Sequence, residues 1–167
     1  MANHIEGRTV VITGAGGGFG RRVAQKTAAR GANVVISDVD EATLAETRDA
    51  VAAAGGVAEA VVADVTQRRA LAAVAERAVD RFGTLDVMVN NAGVMPLAFY
   101  ADHAEAADAW DRCIDINFKG VLNGIIAVHD AMGPVMTAST QSRYGADTSI
   151  TSRKTKSMTS MKIGSPR

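Results

Sequence analysis

The sequence predicts an α/β fold, a doubly wound parallel sheet, and three features carry that prediction. Short runs of β-branched residues alternate with stretches of helical period in the order βαβαβαβα, the pattern of strands joined by crossover helices. The runs are apolar nearly throughout rather than alternately, as expected of strands covered on both faces. The first run ends in a glycine cluster that opens directly into the first helical stretch.

Residues 8–13 (Arg-Thr-Val-Val-Ile-Thr) read as the first strand,. Residues 19–30 read as a helix stopped by Gly31, and 33–38 as the second strand,. Asp40 is placed to cap a helix over 41–54 that ends at Gly55-Gly56,. Residues 57–63 give a third strand, closed by Asp64. Thr66 is expected to cap the next helix, where Leu71, Val74, Ala75, Ala78 and Phe82 recur at three- and four-residue steps,. Residues 85–90 form the fourth strand, and 104–132 read as one long helix with Trp110, Ile114, Phe118, Val121, Leu122 and Ile125 as its core stripe. Gly120 and Gly124 share the face of Asn117 and suit close packing, and Cys113 suits a small buried site.

The chain has 167 residues, with 18 Lys+Arg against 18 Asp+Glu. That balance argues against a nucleic-acid or anionic-membrane partner, each of which needs a basic surplus. No apolar run reaches the roughly 20 residues of a membrane span, and residues 1–8 lack a secretion signal's layout. One cysteine and three scattered histidines offer no disulfide and no metal-ligand spacing,. A cytoplasmic protein is expected.

The balance conceals a seam. Residues 1–133 hold 12 basic and 17 acidic side chains, whereas 134–167 hold 6 and 1, with 13 Ser+Thr. The first part is expected to be the folded nucleotide-binding domain. The second has too few large apolar residues to offset its ordering entropy, so it reads as a disordered or loosely attached tail.

Thr13-Gly14-Ala15-Gly16-Gly17-Gly18-Phe19-Gly20 joins the first strand to the first helix. Glycines there allow a tight turn and close approach of phosphates, and the helix N-terminus offers free N–H groups to an anion. The absence of a following Gly-Lys-Ser/Thr excludes a P-loop, and the spacing is T-G-x-x-x-G-x-G rather than G-x-G-x-x-G,. Asp38 ends the second strand about 20 residues on, where a carboxylate accepts both hydroxyls of an adenosine ribose and repels a 2′-phosphate. NAD is therefore expected over NADP. Arg21 and Arg22 read as a solvated helix face, with a hold on the pyrophosphate as the lesser alternative.

With these residues the chain resembles the short-chain dehydrogenase/reductase family over 1–133. Thr13, Gly14, Gly18 and Gly20 are similar to its cofactor loop, with Gly17 and Phe19 within it. Asp64-Val65 resembles its adenine-contacting pair. Asn90-Asn91-Ala92-Gly93 resembles the N-N-A-G motif that steadies the sheet and lines the cleft. Asn117 falls where the family places a helical active-site asparagine. The resemblance implies a Rossmann-type fold with strand order 3-2-1-4, continued by further strands. It also implies NAD-dependent hydride transfer to or from an alcohol or carbonyl compound, and assembly through the long helix or the exposed sheet edge. Gly14, Gly17, Gly18, Phe19, Gly20, Asp38, Asp64, Val65, Asn91, Ala92 and Gly93 are the expected cofactor-binding residues, and Asn117 the catalytic one. Met95, Pro96 and Phe99 are candidates for a substrate pocket.

The family's proton relay needs a tyrosine and a lysine four residues apart, on one helix face, and a serine. The two tyrosines, Tyr100 and Tyr144, are followed four residues on by Ala104 and Thr148. Met158 and Lys162 have the spacing but no transferable proton on the methionine, and neither Ser139 nor Ser142 has the family's surroundings. Impaired turnover is therefore expected. Two other readings follow: a non-catalytic NAD-binding module, or a truncated or frame-shifted product without function. A methyltransferase of the same architecture would want an acidic residue where this chain has Thr13.

Overall fold

The computed structural model describes residues 3–96 and 99–132; the expectations for residues 134–167, including Ser139, Ser142 and Tyr144, lie outside them. Along the chain run β1 (Thr9–Thr13), α1 (Gly18–Ala28), β2 (Asn33–Asp38), α2 (Glu41–Ala53), β3 (Val57–Val62), α3 (Arg68–Phe82) and β4 (Val87–Val89). A 3-10 turn (Tyr100–Asp102), α4 (His103–Ile114), a π-helical stretch (Asp115–Lys119) and α5 (Gly120–His129) follow. The strands form one parallel sheet in the order β3-β2-β1-β4. Thr9 stands beside Asn33, Asn33 beside Val57, and Val10 beside Val87.

Both faces of the sheet are covered, which is why β1 and β2 carry apolar residues without alternation. Val10, Ile12, Val34 and Ile36 pack on Ala24 and Ala28 of α1 and on Leu44 and Val51 of α2. Val11 and Val35 pack on Leu71, Val74, Ala75 and Ala78 of α3 and on Val128 of α5. Leu44 and Leu71 are fully buried, and burying each contributes about 2 kcal/mol. Asp40 caps α2 as expected, its carboxylate accepting the Thr43 N–H at 3.1 Å. No helix among the described residues is long and apolar enough to cross a membrane.

β4 is shorter than the sequence suggests, Val87–Val89 against the expected 85–90, and has β1 as its sole partner among the described strands. Its entry is pinned by Asp86, whose carboxylate accepts the Thr9 N–H at 2.9 Å and the Thr84 hydroxyl at 3.1 Å and pairs with Arg8 at 2.6 Å. The Thr9 N–H, helped by the Arg8 and Thr84 side chains, holds the Asp86 carboxyl below its ordinary range against a desolvation that pushes the other way.

Three expectations are corrected. Thr66 does not cap α3: the cap position is Gln67, with no side-chain bond, and the turn before it is built by Asp64. The Asp64 carboxylate accepts the Thr66 N–H at 2.8 Å and its carbonyl the Gln67 N–H at 2.9 Å. The single helix over 104–132 is interrupted at Asp115–Lys119, where the Gly120 N–H reaches back five residues to the Asp115 carbonyl. The expected core stripe is also displaced, since Ile114, Phe118, Leu122 and Ile125 are exposed. The buried face of α5 is Gly120, Asn123, Gly124 and Val128 instead. A Cβ on Gly120 would stand 2.8 Å from a Val65 methyl, and one on Gly124 would overlap the Asn90 amide oxygen. Close approach by the small residues decided which face turned inward.

Candidate active site cleft

The carboxyl ends of the four strands converge on a cleft of about 770 Å³. Its floor is the glycine loop. Gly14 takes φ +65°, and a Cβ on it would lie 2.7 Å from the Ala92 Cα, so the loop crosses directly over the segment after β4. A Cβ on Gly20 would overlap the Gly14 carbonyl, which is how closely the first turn of α1 sits behind the loop. At Gly17 and Gly18 a Cβ would meet nothing within 4 Å. These two positions leave open the space in front of the α1 N-terminus, where the first-turn N–H groups have no partners within the helix.

The segment after β4 is tied to β1 by two side chains. The Asn91 amide donates to the Thr13 and Gly14 carbonyls at 2.9 and 3.1 Å. The Thr13 hydroxyl oxygen accepts the N–H groups of Asn91 and Ala92, both at 3.1 Å, and its proton is directed to the Val89 carbonyl at 3.4 Å. The loop and the Asn-Asn-Ala-Gly segment thus form one hydrogen-bonded surface.

Asp38 stands at the end of β2 with its carboxylate in a nest of backbone N–H groups. One oxygen accepts from Gly16 at 2.8 Å, the other from Val39 at 2.8 Å and Asp40 at 3.3 Å. Next to it, Asp64 is exposed and Val65 buried. Asn123 of α5 donates to the Val65 and Thr66 carbonyls at 3.0 and 3.2 Å and sets that wall.

Gly14, Gly17, Gly18, Phe19, Asp38, Asp64, Val65, Asn91, Ala92 and Gly93 all line this one cleft. Gly20, the remaining expected cofactor residue, lies under the loop instead. Asn117 is not in the lining. It sits in the π-helical stretch behind Val94, its amide oxygen accepting the Val94 N–H at 2.8 Å and its amide nitrogen donating to the Val94 carbonyl at 2.8 Å. Cys113 is half-buried beside it, with its sulfur 3.3 Å from the Asn117 amide nitrogen. Met95, Pro96 and Phe99 are outside the lining, Met95 and Phe99 being strongly exposed. Tyr100 is exposed and stacks on His103.

The opposite wall was not foreseen from the sequence: Asp108, Asp111, Arg112, Asp115 and Ile116 face the cleft from α4 and the stretch that follows it. The helical spacing of the acidic residues was the available signal. Also unforeseen were Gly16, which a Cβ would drive to 2.9 Å from the Asp38 carboxylate, and Arg21, which is bonded to the loop rather than solvated.

A ligand crevice beyond the carboxyl ends of a doubly wound parallel sheet places the protein among α/β proteins that work at that edge. The chain belongs to the short chain dehydrogenase family, whose sequence profile matches residues 8–156, running on past the seam at 133. It is 44% identical over 115 residues to the probable oxidoreductase EphD of Mycobacterium tuberculosis, covering 69% of this chain and 19% of that protein. It is 39% identical over 125 residues to 3beta-hydroxysteroid dehydrogenase 1 of Eggerthella lenta, covering 74% and 47%. A short chain dehydrogenase/reductase from Burkholderia phymatum, solved in complex with NAD, superposes with a TM-score of 0.73 at 37% identity, over 79% of this chain and 46% of that one. The chain therefore spans less than half of each of these relatives.

Proposed function

We propose that the chain binds NAD in the strand-end cleft and is an oxidoreductase of alcohol or carbonyl compounds by descent, with turnover impaired in this chain. The observation that carries the NAD reading is the Asp38 carboxylate, held by three N–H groups at the rim of the cleft. It suits two ribose hydroxyls and repels a 2′-phosphate. The cleft suits the rest of the cofactor: Gly17 and Gly18 leave room in front of the α1 N-terminus for a diphosphate,. Asp64 and Val65 stand at the adenine side, and Gly93 and Val94 at the other end. Bound NAD would supply the hydride acceptor. The residues of this chain would orient it: Asn91 and Thr13 by fixing the loop, and Asn117, the active-site residue of this reading, by holding Val94.

Impairment rests on the missing proton relay, since no tyrosine in the sequence has a lysine four residues on. A non-catalytic NAD-binding module is the second reading, and the same absence favours it. We assign the chain to the cytoplasm, a reducing compartment that suits its one cysteine. The exposed side chains of Ile114, Phe118, Leu122, Ile125 and Ile126 are the face we assign to self-association.

A thermal melt with and without NAD, with NADP as comparison, tests the cofactor reading. NAD at 100 times its dissociation constant should add about 2.7 kcal/mol and raise Tm by several degrees. A cooperative transition indifferent to NAD refutes the reading. No cooperative transition at all would favour a non-functional product. NAD binding without hydride transfer to any alcohol or carbonyl panel member would favour the non-catalytic module.

A further inference from the structure

Arg21 leaves the first turn of α1 and folds back behind the glycine loop. Its Nε donates to the Gly16 carbonyl at 3.1 Å, and its Nη2 donates to the same oxygen, to the Thr43 carbonyl at 3.1 Å and to the Glu46 carboxylate at 2.9 Å. The N–H of Gly16 donates to the Asp38 carboxylate at 2.8 Å. Gly16 is boxed in: a Cβ would stand 2.5 Å from the Thr43 hydroxyl and 2.9 Å from the Asp38 carboxylate.

We infer that Arg21 is a positioning residue for the adenosine end of the cofactor, acting through Gly16 to hold the Asp38 carboxylate in place for the ribose. This rests on the NAD reading above. Both polar groups of Gly16 are anchored, one by Arg21 and one by Asp38, so the loop and the carboxylate move together. Glycine is the residue with most conformational freedom to lose, and Gly16 is followed by two more, so without an anchor this segment would sample many arrangements. Arg21 supplies that anchor with a planar fork whose geometry a lysine ammonium does not reproduce. It does not line the 770 Å³ cleft, and its charge is paired with Glu46. With Gly16, Gly17, Gly18 and Thr43 it lines a second cavity beside the loop, and its hydrogen bonds carry its influence on the adenosine end through Gly16 to Asp38.

Calorimetric titration of the 167-residue chain with adenosine diphosphate ribose tests this without requiring turnover. R21A should weaken binding about tenfold, the equivalent of one hydrogen bond to a charged group. R21K should recover part of that loss. In a D38A background R21A should cost nothing more, because the pathway is already cut. Unchanged affinity in folded R21A, or losses that simply add in the double variant, would overturn the inference while leaving the cofactor reading intact. Failure of the parent chain to bind adenosine diphosphate ribose would bring down both. Should R21A lose its cooperative melt, R21K carries the same cycle with a smaller loss.

Discussion

Replacing Thr13 by valine keeps the shape of the side chain and removes its hydroxyl. The position is 1% exposed, so water does not replace what is lost. Two backbone N–H groups, those of Asn91 and Ala92, lose their acceptor, and the Val89 carbonyl loses a donor. A buried N–H without a partner costs about 1–3 kcal/mol. Asn91 and Ala92 are half-buried, which keeps each near the low end, so T13V should lose about 2–4 kcal/mol. For a domain of this size that lowers Tm by about 6–12 °C. The control is T13S, which keeps the hydroxyl and gives up one methyl group, for about 1 kcal/mol. Both variants are compared with the parent by thermal unfolding and urea titration. If T13V melts within two or three degrees of the parent, or if T13S loses more than T13V, packing rather than hydrogen bonding holds the segment after β4, and the reasoning fails.

Gly17→Ala separates stability from binding. Its backbone is extended and a Cβ there meets nothing, so Tm should hold or rise slightly while NAD affinity falls, because the methyl occupies space left for the phosphates; calorimetry reads the one and a melt the other. Asp86 governs acid stability. Its folded-state value lies below the ordinary 3.8, so its contribution is fully present above that pH and fades as the pH falls through the lower folded value. D86N should therefore be less stable than the parent at pH 6 by urea titration, with the difference shrinking as the pH falls below 4; a constant difference would discard the linkage.

Much of the fold is legible in the residue order because the signals are local. The runs at 9–13 and 33–38 each hold three consecutive β-branched apolar residues, Asp40 is a side-chain cap for a helix that begins one residue later, and the glycine cluster can be little other than a turn. The cofactor candidates were legible for a related reason: they fall at the carboxyl ends of strands, and parallel strands bring those ends together. Ten of the eleven line one cleft.

Other features were not legible, since each depends on what a residue meets across the fold. Arg21 reads as solvated by its neighbours in sequence, yet Gly16 and Thr43 bring two carbonyl oxygens to it. Phe118 and Ile125 continue an apolar period, yet the π-helical stretch and the close fit of Gly120 and Gly124 turn another face to the sheet. Asn117 reads from the motif as a residue facing the cleft, yet its amide is engaged by the Val94 backbone instead.

The sequence by itself determined the succession of elements through β4, the parallel sheet and most of the residues at its carboxyl edge, because periodicity, caps and turns act over a few residues. Only the tertiary structure decided which face of α5 is buried, which side chains wall the cleft from α4, and how Asp38, Gly16 and Arg21 are coupled. Those outcomes turn on distances of a few ångströms between segments far apart in the chain, and no local pattern encodes them.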